Sequence, residues 1–190
     1  MNYKKNFLPF LICAVLLQGC VAAFIAGAAV GGVIVYDQRT FEMMGYDNDI
    51  DEYISKRIDT DPAFRDSHII VSSFNRRVLL VGQTPHASLR ATAMRIAKKA
   101  PRVRKIYNQI EIAHPSSTLS RANDTLINTK IRAQMLTKKG LKSGNIKIVT
   151  EAGSVYLMGE VSREQAKMAV KIARETSGVR RVVKAFHYTR

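Results

Sequence analysis

The run Val78-Leu79-Leu80-Val81-Gly82 returns 77 residues later as Val155-Tyr156-Leu157-Met158-Gly159. A chain that contains itself twice builds one supersecondary unit twice, so the repeat limits the fold before any single residue does. Ile69 and Val71 match Ile146 and Ile148, and further upstream Ile54 and Ile58 match Ile127 and Ile131. Downstream, Ile96-Ala97 matches Ile172-Ala173, and Val103, Ile106 and Ile110 match Val179, Val182 and Phe186. The offset reads as 73 residues at the start, 77 in the middle and 76 at the end, a drift that small loop insertions explain.

Each copy spells the same order of elements. In the second, Asp124 is expected to cap a helix that runs to about Lys138, with Ile127, Ile131 and Met135 on one face. Asn145 to Thr150 alternates as a strand, and Val155, Leu157 and Gly159 continue as its antiparallel partner. Ser162 opens a second helix whose apolar side is Ala166, Ala169, Val170 and Ala173, and Val179 to Tyr188 forms the last strand. The expected fold is α+β: two tandem α-β-β-α-β modules, each a three-stranded mixed sheet with two helices on one face. The boundaries are 49–112 for module 1, 113–123 for a Pro/Ser-containing linker and 124–190 for module 2. A module of this size has a small core and is marginally stable alone.

The N-terminal segment decides the compartment. Lys4-Lys5 precede a short apolar run that ends in Leu16-Leu17-Gln18-Gly19-Cys20. A basic start, an apolar stretch and small residues at the cut make a secretory signal. A cysteine just after the cut resembles a bacterial lipoprotein signal. Residues 1–19 are then the signal peptide, Cys20 the site of lipid attachment, and 20–48 an acylated N-terminus and tether. A rival reading joins Phe7 to Tyr36 into an uncleaved anchor, since a span needs about 20 apolar residues; a cytosolic chain is a third. Gln18 and the glycine pairs interrupt the joined run. Cys13 would leave with the signal, so the mature part would hold no disulfide and no cysteine-based metal or redox site.

Thirty Lys and Arg oppose 15 Asp and Glu, a net charge of +15 that implies an anionic partner. Export disfavours nucleic acid and favours lipid headgroups. Module 1 has 12 basic and 7 acidic residues, net +5; module 2 has 14 and 5, net +9. Electrostatics therefore assigns an anionic surface to module 2, with module 1 as a structural partner packed against it.

The lipoprotein-like signal, the two α-β-β-α-β copies and the segments Tyr156-Leu157-Met158-Gly159, Asn123-Asp124-Thr125 and Ser177-Gly178-Val179-Arg180-Arg181-Val182 together resemble the dual BON-domain lipoproteins of the Gram-negative outer membrane (the DolP type). The resemblance covers nearly the whole chain. It implies a lipid-anchored protein on the periplasmic face of the outer membrane that supports envelope integrity. It also implies that the second module binds anionic phospholipid through its first helix. Val21 after Cys20 is compatible with that destination.

On a helical wheel Leu126 lies well off the Ile127/Ile131 face, with Lys130 beside it, Arg132 flanking more loosely, and Lys138 and Lys139 at the end. These five residues form the candidate phospholipid-binding site: a leucine enters the acyl boundary while cations meet phosphates. The alternative is that Leu126 packs on the other module. Tyr53 takes the place of Leu126 in module 1, crowded by Asp49, Asp51 and Glu52. Partners are thus an anionic phospholipid membrane or, as the alternative function, an envelope protein such as the outer-membrane assembly machinery, for which the chain would be a scaffold. His68, His86, His114 and His187 lack metal-ligand spacing, no P-loop or nucleophile elbow occurs, and no GxxG loop joins two helices as in KH domains. No catalytic residue, metal or cofactor is expected.

Overall fold

The computed structural model describes residue 37 and residues 39–189. The signal and Cys20 lie outside the described residues. Module 1 consists of helix α1 (Phe41–Asp59), strands β1 (His68–Phe74) and β2 (Arg77–Thr84), helix α2 (Ala87–Lys99) and strand β3 (Lys105–Ile112). Module 2 repeats the order with α3 (Thr118–Thr137), β4 (Ile146–Glu151), β5 (Ser154–Val161), α4 (Arg163–Glu175) and β6 (Arg181–Tyr188). In each sheet the second strand is central. It pairs antiparallel with the first (Val71 opposite Leu80, Ile148 opposite Leu157) and parallel with the third (Val78 opposite Ile106, Val155 opposite Val182).

The sheets are covered on both faces. Val78 and Leu80 point toward α1 and α2 and join Ile50, Ile54, Ile58 and Ile110 in one core. Val155 and Leu157 do the same under α3 and α4 with Ile127, Ile131, Met135 and Phe186. The alternate residues of the central strands, Leu79 and Val81 from β2 and Tyr156 and Met158 from β5, meet in a third core with Phe74, Val149 and Ala185. The order of layers is helices, sheet, sheet, helices. Double-sided burial is why β2 and β5 read as continuous apolar runs instead of alternating ones. Residues 37–190 form one compact unit that holds all three cores and both sheets, so it contains what it needs to fold without the segment before it.

The glycine that closes each Val-x-Leu-x-Gly run has a steric reason. A Cβ on Gly82 would stand 2.0 Å from the His68 carbonyl oxygen, and one on Gly159 2.2 Å from that of Asn145. Both contacts are far inside van der Waals distance, so the first strand can cross only over a residue without a side chain.

Three expectations change. Helix α3 starts at Thr118, capped by Ser117 Oγ accepting from Ser120 N, so residues 118–123 of the stretch read as a linker are helical. Helix α1 likewise starts at Phe41 with Thr40 as its cap, inside the stretch read as a tether. Asp124 is therefore not an N-cap. It is buried inside α3, and its carboxylate accepts from Ala152 N and Gly153 N, both at 2.8 Å, pinning the β4–β5 turn. Asp47 does the same for Asn75 N (2.8 Å) and Arg76 N (2.7 Å). Asp47 and Asp124 fix the true alignment of the first helices at an offset of 77, so Ile50, Ile54 and Ile58 match Ile127, Ile131 and Met135. The change to 76 falls at one extra residue, Pro85-His86 in module 1 against Ser162 in module 2.

Candidate membrane-facing site

With α3 extended to Thr118, the helix has two clean sides. Asp124, Ile127, Ile131 and Met135 face the sheet. Leu119, Asn123, Leu126 and Lys130 follow the i, i+4, i+7, i+11 spacing of the outer side. Leu119 is 73% exposed and Leu126 58%, two of only five large apolar side chains so exposed among the described residues. They border an open depression whose other walls are Lys130, the Gly153 turn, Gly178 and Arg180. No acidic residue occupies the first turn of α3. Lys130 is exposed and makes no hydrogen bond or ion pair among the described residues.

The five expected site residues do not converge. Leu126 and Lys130 share the depression. Arg132 turns the other way: its Nη1 donates to the Ile146 carbonyl at 3.1 Å, and burial pushes its pKa below the ordinary arginine value, with Asp37 opposing. It fastens α3 to the edge of β4 and leaves the site. Lys138 and Lys139 lie past the last turn, Lys138 about 18 Å along the axis from Leu126 at 1.5 Å per residue. They add charge at the far end of the helix. Leu119 is the residue the sequence reading passed over, and Arg180 stood outside the five expected site residues. Leu119 stands seven positions before Leu126, and the Ser117-to-Ser120 cap was the sign that the helix reached it.

Net charge by module also overstates what is available. Lys147 is drawn into the inter-module seam, where it donates to Ser73 O (3.0 Å) and lies 3.7 Å from Asp51; burial pushes its pKa down, with Asp51 opposing. Arg181 pairs with Glu111 across the modules at 2.7 Å and reaches the Tyr156 hydroxyl at 3.3 Å. Together with Arg132, three of module 2's cations serve the fold. At the same end of the seam as the Arg181–Glu111 pair, Glu151, almost fully buried, accepts from Gln83 Nε2 (3.0 Å) and Ser116 Oγ (2.7 Å), with His68 Nε2 3.5 Å away.

The equivalent stripe on module 1 differs. The offset of 77 places Glu42, Asp49 and Tyr53 at the positions of Leu119, Leu126 and Lys130, so Asp49 and not Tyr53 stands in the place of Leu126. Tyr46 donates its hydroxyl to Glu42, and the Arg57 guanidinium covers the Tyr53 ring at 3.4 Å. Among the described residues no helix is long and apolar enough to cross a membrane, and no group of three His, Cys, Asp or Glu is arranged to hold a metal ion.

Two tandem mixed-sheet modules define the class, and comparison with known proteins agrees. The BON domain matches twice, at residues 46–114 and 123–190. The outer membrane lipoprotein DolP of Haemophilus influenzae is 31% identical over 185 residues, 97% of this chain and 96% of that protein. A 21 kDa hemolysin of Actinobacillus pleuropneumoniae is 31% identical over 153 residues, 80% of this chain and 79% of that one. The chain belongs to the BON-domain family, among the dual-domain outer-membrane lipoproteins of the DolP type. CdsD, a structural protein of the type III secretion system of Chlamydia trachomatis, is a distant structural likeness: 10% identity, 75% of this chain, 91% of that one, TM-score 0.32.

Proposed function

We propose that this lipoprotein is acylated on Cys20, faces the periplasm, and uses the outer side of α3 to engage anionic phospholipid in support of envelope integrity. The observation that carries the reading is the exposed Leu119–Leu126 pair, set beside Lys130 and Arg180 on a helix whose first turn has no acid. An isolated exposed leucine needs no explanation. Two in one stripe, flanked by cations, suit the boundary between acyl chains and phosphates. Each basic group near an anionic surface contributes about 1 kcal/mol. Stable anchoring takes more than one acyl chain, so an acylated Cys20 supplies retention and leaves α3 to supply selectivity.

Two measurements test this. Mass spectrometry of the mature protein is expected to find a lipid-modified N-terminal Cys20; an unmodified, uncleaved chain contradicts the anchor. Flotation of the 37–190 unit with vesicles is expected to show binding that requires anionic lipid; equal partition to neutral and anionic vesicles contradicts the lipid site.

A further inference from the structure

We infer that the outer edge of β6, with the basic groove between it and α4, is a docking edge for an extended acidic segment of another polypeptide. The surface is built from α4 and β6 and shares no residue with the depression beside α3.

In the order β4-β5-β6 the last strand has a partner on one side only. Just past its end Thr189 N donates to the Val161 carbonyl. Backbone groups alternate sides along a strand, so the odd-numbered residues of β6 bond to β5. Val182, Lys184, Phe186 and Tyr188 therefore turn their N–H and C=O groups outward. An offset of 76 sets β3 on β6 and α2 on α4, and in module 1 the same edge is closed. Asn108 Oδ1 accepts from Ile110 N, and Asn108 Nδ2 donates to the Arg90 carbonyl on α2, both at 3.2 Å. Lys184 and Phe186 hold the places of Asn108 and Ile110. A lysine has no acceptor to offer, and among the described residues no side chain takes the Phe186 N–H. The β4 edge is strapped to α3 by Asn128 and Arg132, which donate to the Ile148 and Ile146 carbonyls at 3.1 Å.

The groove beside the open edge carries one sign of charge. Arg163, Lys167 and Arg174 of α4 and Lys184 of β6 surround Val170 and Tyr188, with no acid in the lining. All four cations are exposed, and none forms an ion pair or a side-chain hydrogen bond among the described residues. The Arg163 guanidinium stands 5.2 Å from the centre of the Tyr188 ring, at the end of the strand. Module 1 has Ala87, Ala91 and Asn108 where module 2 has Arg163, Lys167 and Lys184, so three of the four charges belong to the second copy alone.

One lysine on an edge strand is enough to discourage pairing. Three further cations on the flanking helix instead select what pairs. Arg163 and Lys167 are about 6 Å apart along the helix axis, close to the spacing of about 6.7 Å between same-face residues of a strand. An added strand with an acid at every second position meets successive cations while its backbone bonds to β6. A second copy of this chain brings the same cations and is repelled. A lipid surface has no ladder of donors and acceptors to offer the edge.

The probe is a fluorescein-labelled peptide with blocked ends, Glu-Val-Glu-Thr-Glu-Val-Glu-Thr, titrated into the 37–190 unit at physiological salt. A second probe is N-methylated on its four central residues, which keeps the charge and removes donors from both of its edges. The groove variant Arg163→Ala/Lys167→Ala/Lys184→Asn gives module 2 the residues module 1 carries. The control variant Lys98→Gln/Lys138→Gln/Lys139→Gln removes three exposed charges elsewhere. The parent is expected to bind the first peptide saturably and to show slowed hydrogen exchange at the Lys184 and Phe186 amides. Binding of the N-methylated peptide, and binding of the first peptide by the groove variant, are each expected to be at least about tenfold weaker. The control variant should stay within about twofold, and both variants should keep the parent's thermal midpoint. Equal binding of the two peptides overturns strand addition, and a control variant as weak as the groove variant overturns the groove. A groove variant that binds the peptide as the parent does, yet binds phosphatidylglycerol vesicles at least about tenfold weaker, assigns this face to the membrane and overturns the polypeptide partner. The α3 reading stands whichever way these results fall.

Discussion

Helix α1 presents Glu42, Asp49 and Tyr53 where helix α3 presents Leu119, Leu126 and Lys130. Toward the sheets the same two helices agree: Asp47, Ile50, Ile54 and Ile58 against Asp124, Ile127, Ile131 and Met135. The inner positions are each engaged, by a turn amide or by a packed neighbour, and a change there is felt throughout a close-packed interior. The outer positions answer mostly to water or to a partner, Tyr53 alone of the six leaning on the core of its own module. Two copies of one fold can therefore share a skeleton and part company on one helix face. Arg76 and Arg102 of module 1, which become Gly153 and Gly178 in module 2, extend that divergence from the helix to the loops beside it.

The shared skeleton can be broken first. Gly82→Ala drives a Cβ into the His68 carbonyl oxygen at the start of β1 and Gly159→Ala into that of Asn145 just before β4, and each is expected to destabilise by more than about 4 kcal/mol in urea or thermal unfolding. Similar losses in the two copies would show that the crossing matters equally to both. Next comes the seam between the sheets. Leu79→Ala removes a fully buried side chain from the shared core and is expected to cost about 2–5 kcal/mol. Because both sheets lean on that core, the loss should appear as one shifted transition in probes placed in either module. Two separate transitions would show that the modules are energetically independent.

A smaller effect separates the cations that hold the fold from those that face outward. Arg132→Gln is expected to lower stability by about 1 kcal/mol, the worth of its bond to the Ile146 carbonyl, and to leave vesicle binding within about twofold. Lys130→Gln should do the reverse, with stability unchanged and binding to anionic vesicles about fivefold weaker. If Arg132→Gln weakened binding as much as Lys130→Gln, the distinction between seated and available charge would fail.

The architecture was legible because helices and strands have different periods, and Ile127, Ile131 and Met135 or Ile146 and Ile148 announce them. The first-helix alignment slipped for a physical reason. Offsets of 73 and 77 differ by four residues, close to one helical turn, so Ile54 or Ile50 satisfies the apolar face equally well. Only the buried aspartates, whose partners are turn amides far away in sequence, break the tie. The slip set Tyr53 opposite Leu126. Reading residues 113–123 as linker concealed Leu119, although Ser117 was already placed to cap. The fate of Arg132 and Lys147 depends on which backbone carbonyl or carboxylate lies across the packing interface, and no local pattern encodes that. The continuous apolar runs of β2 and β5 did carry a signal of burial on both faces, and with it the sheet-to-sheet seam.

The central claim is that the outward stripe of α3, and not the net charge of module 2, makes the lipid contact. The double variant Leu119→Glu/Leu126→Asp gives α3 the residues that α1 carries at the same positions and leaves every core side chain in place. Flotation of the 37–190 unit with vesicles containing phosphatidylglycerol should show binding weakened at least about tenfold, with the thermal midpoint unchanged. Binding retained at the level of the parent protein would contradict the account.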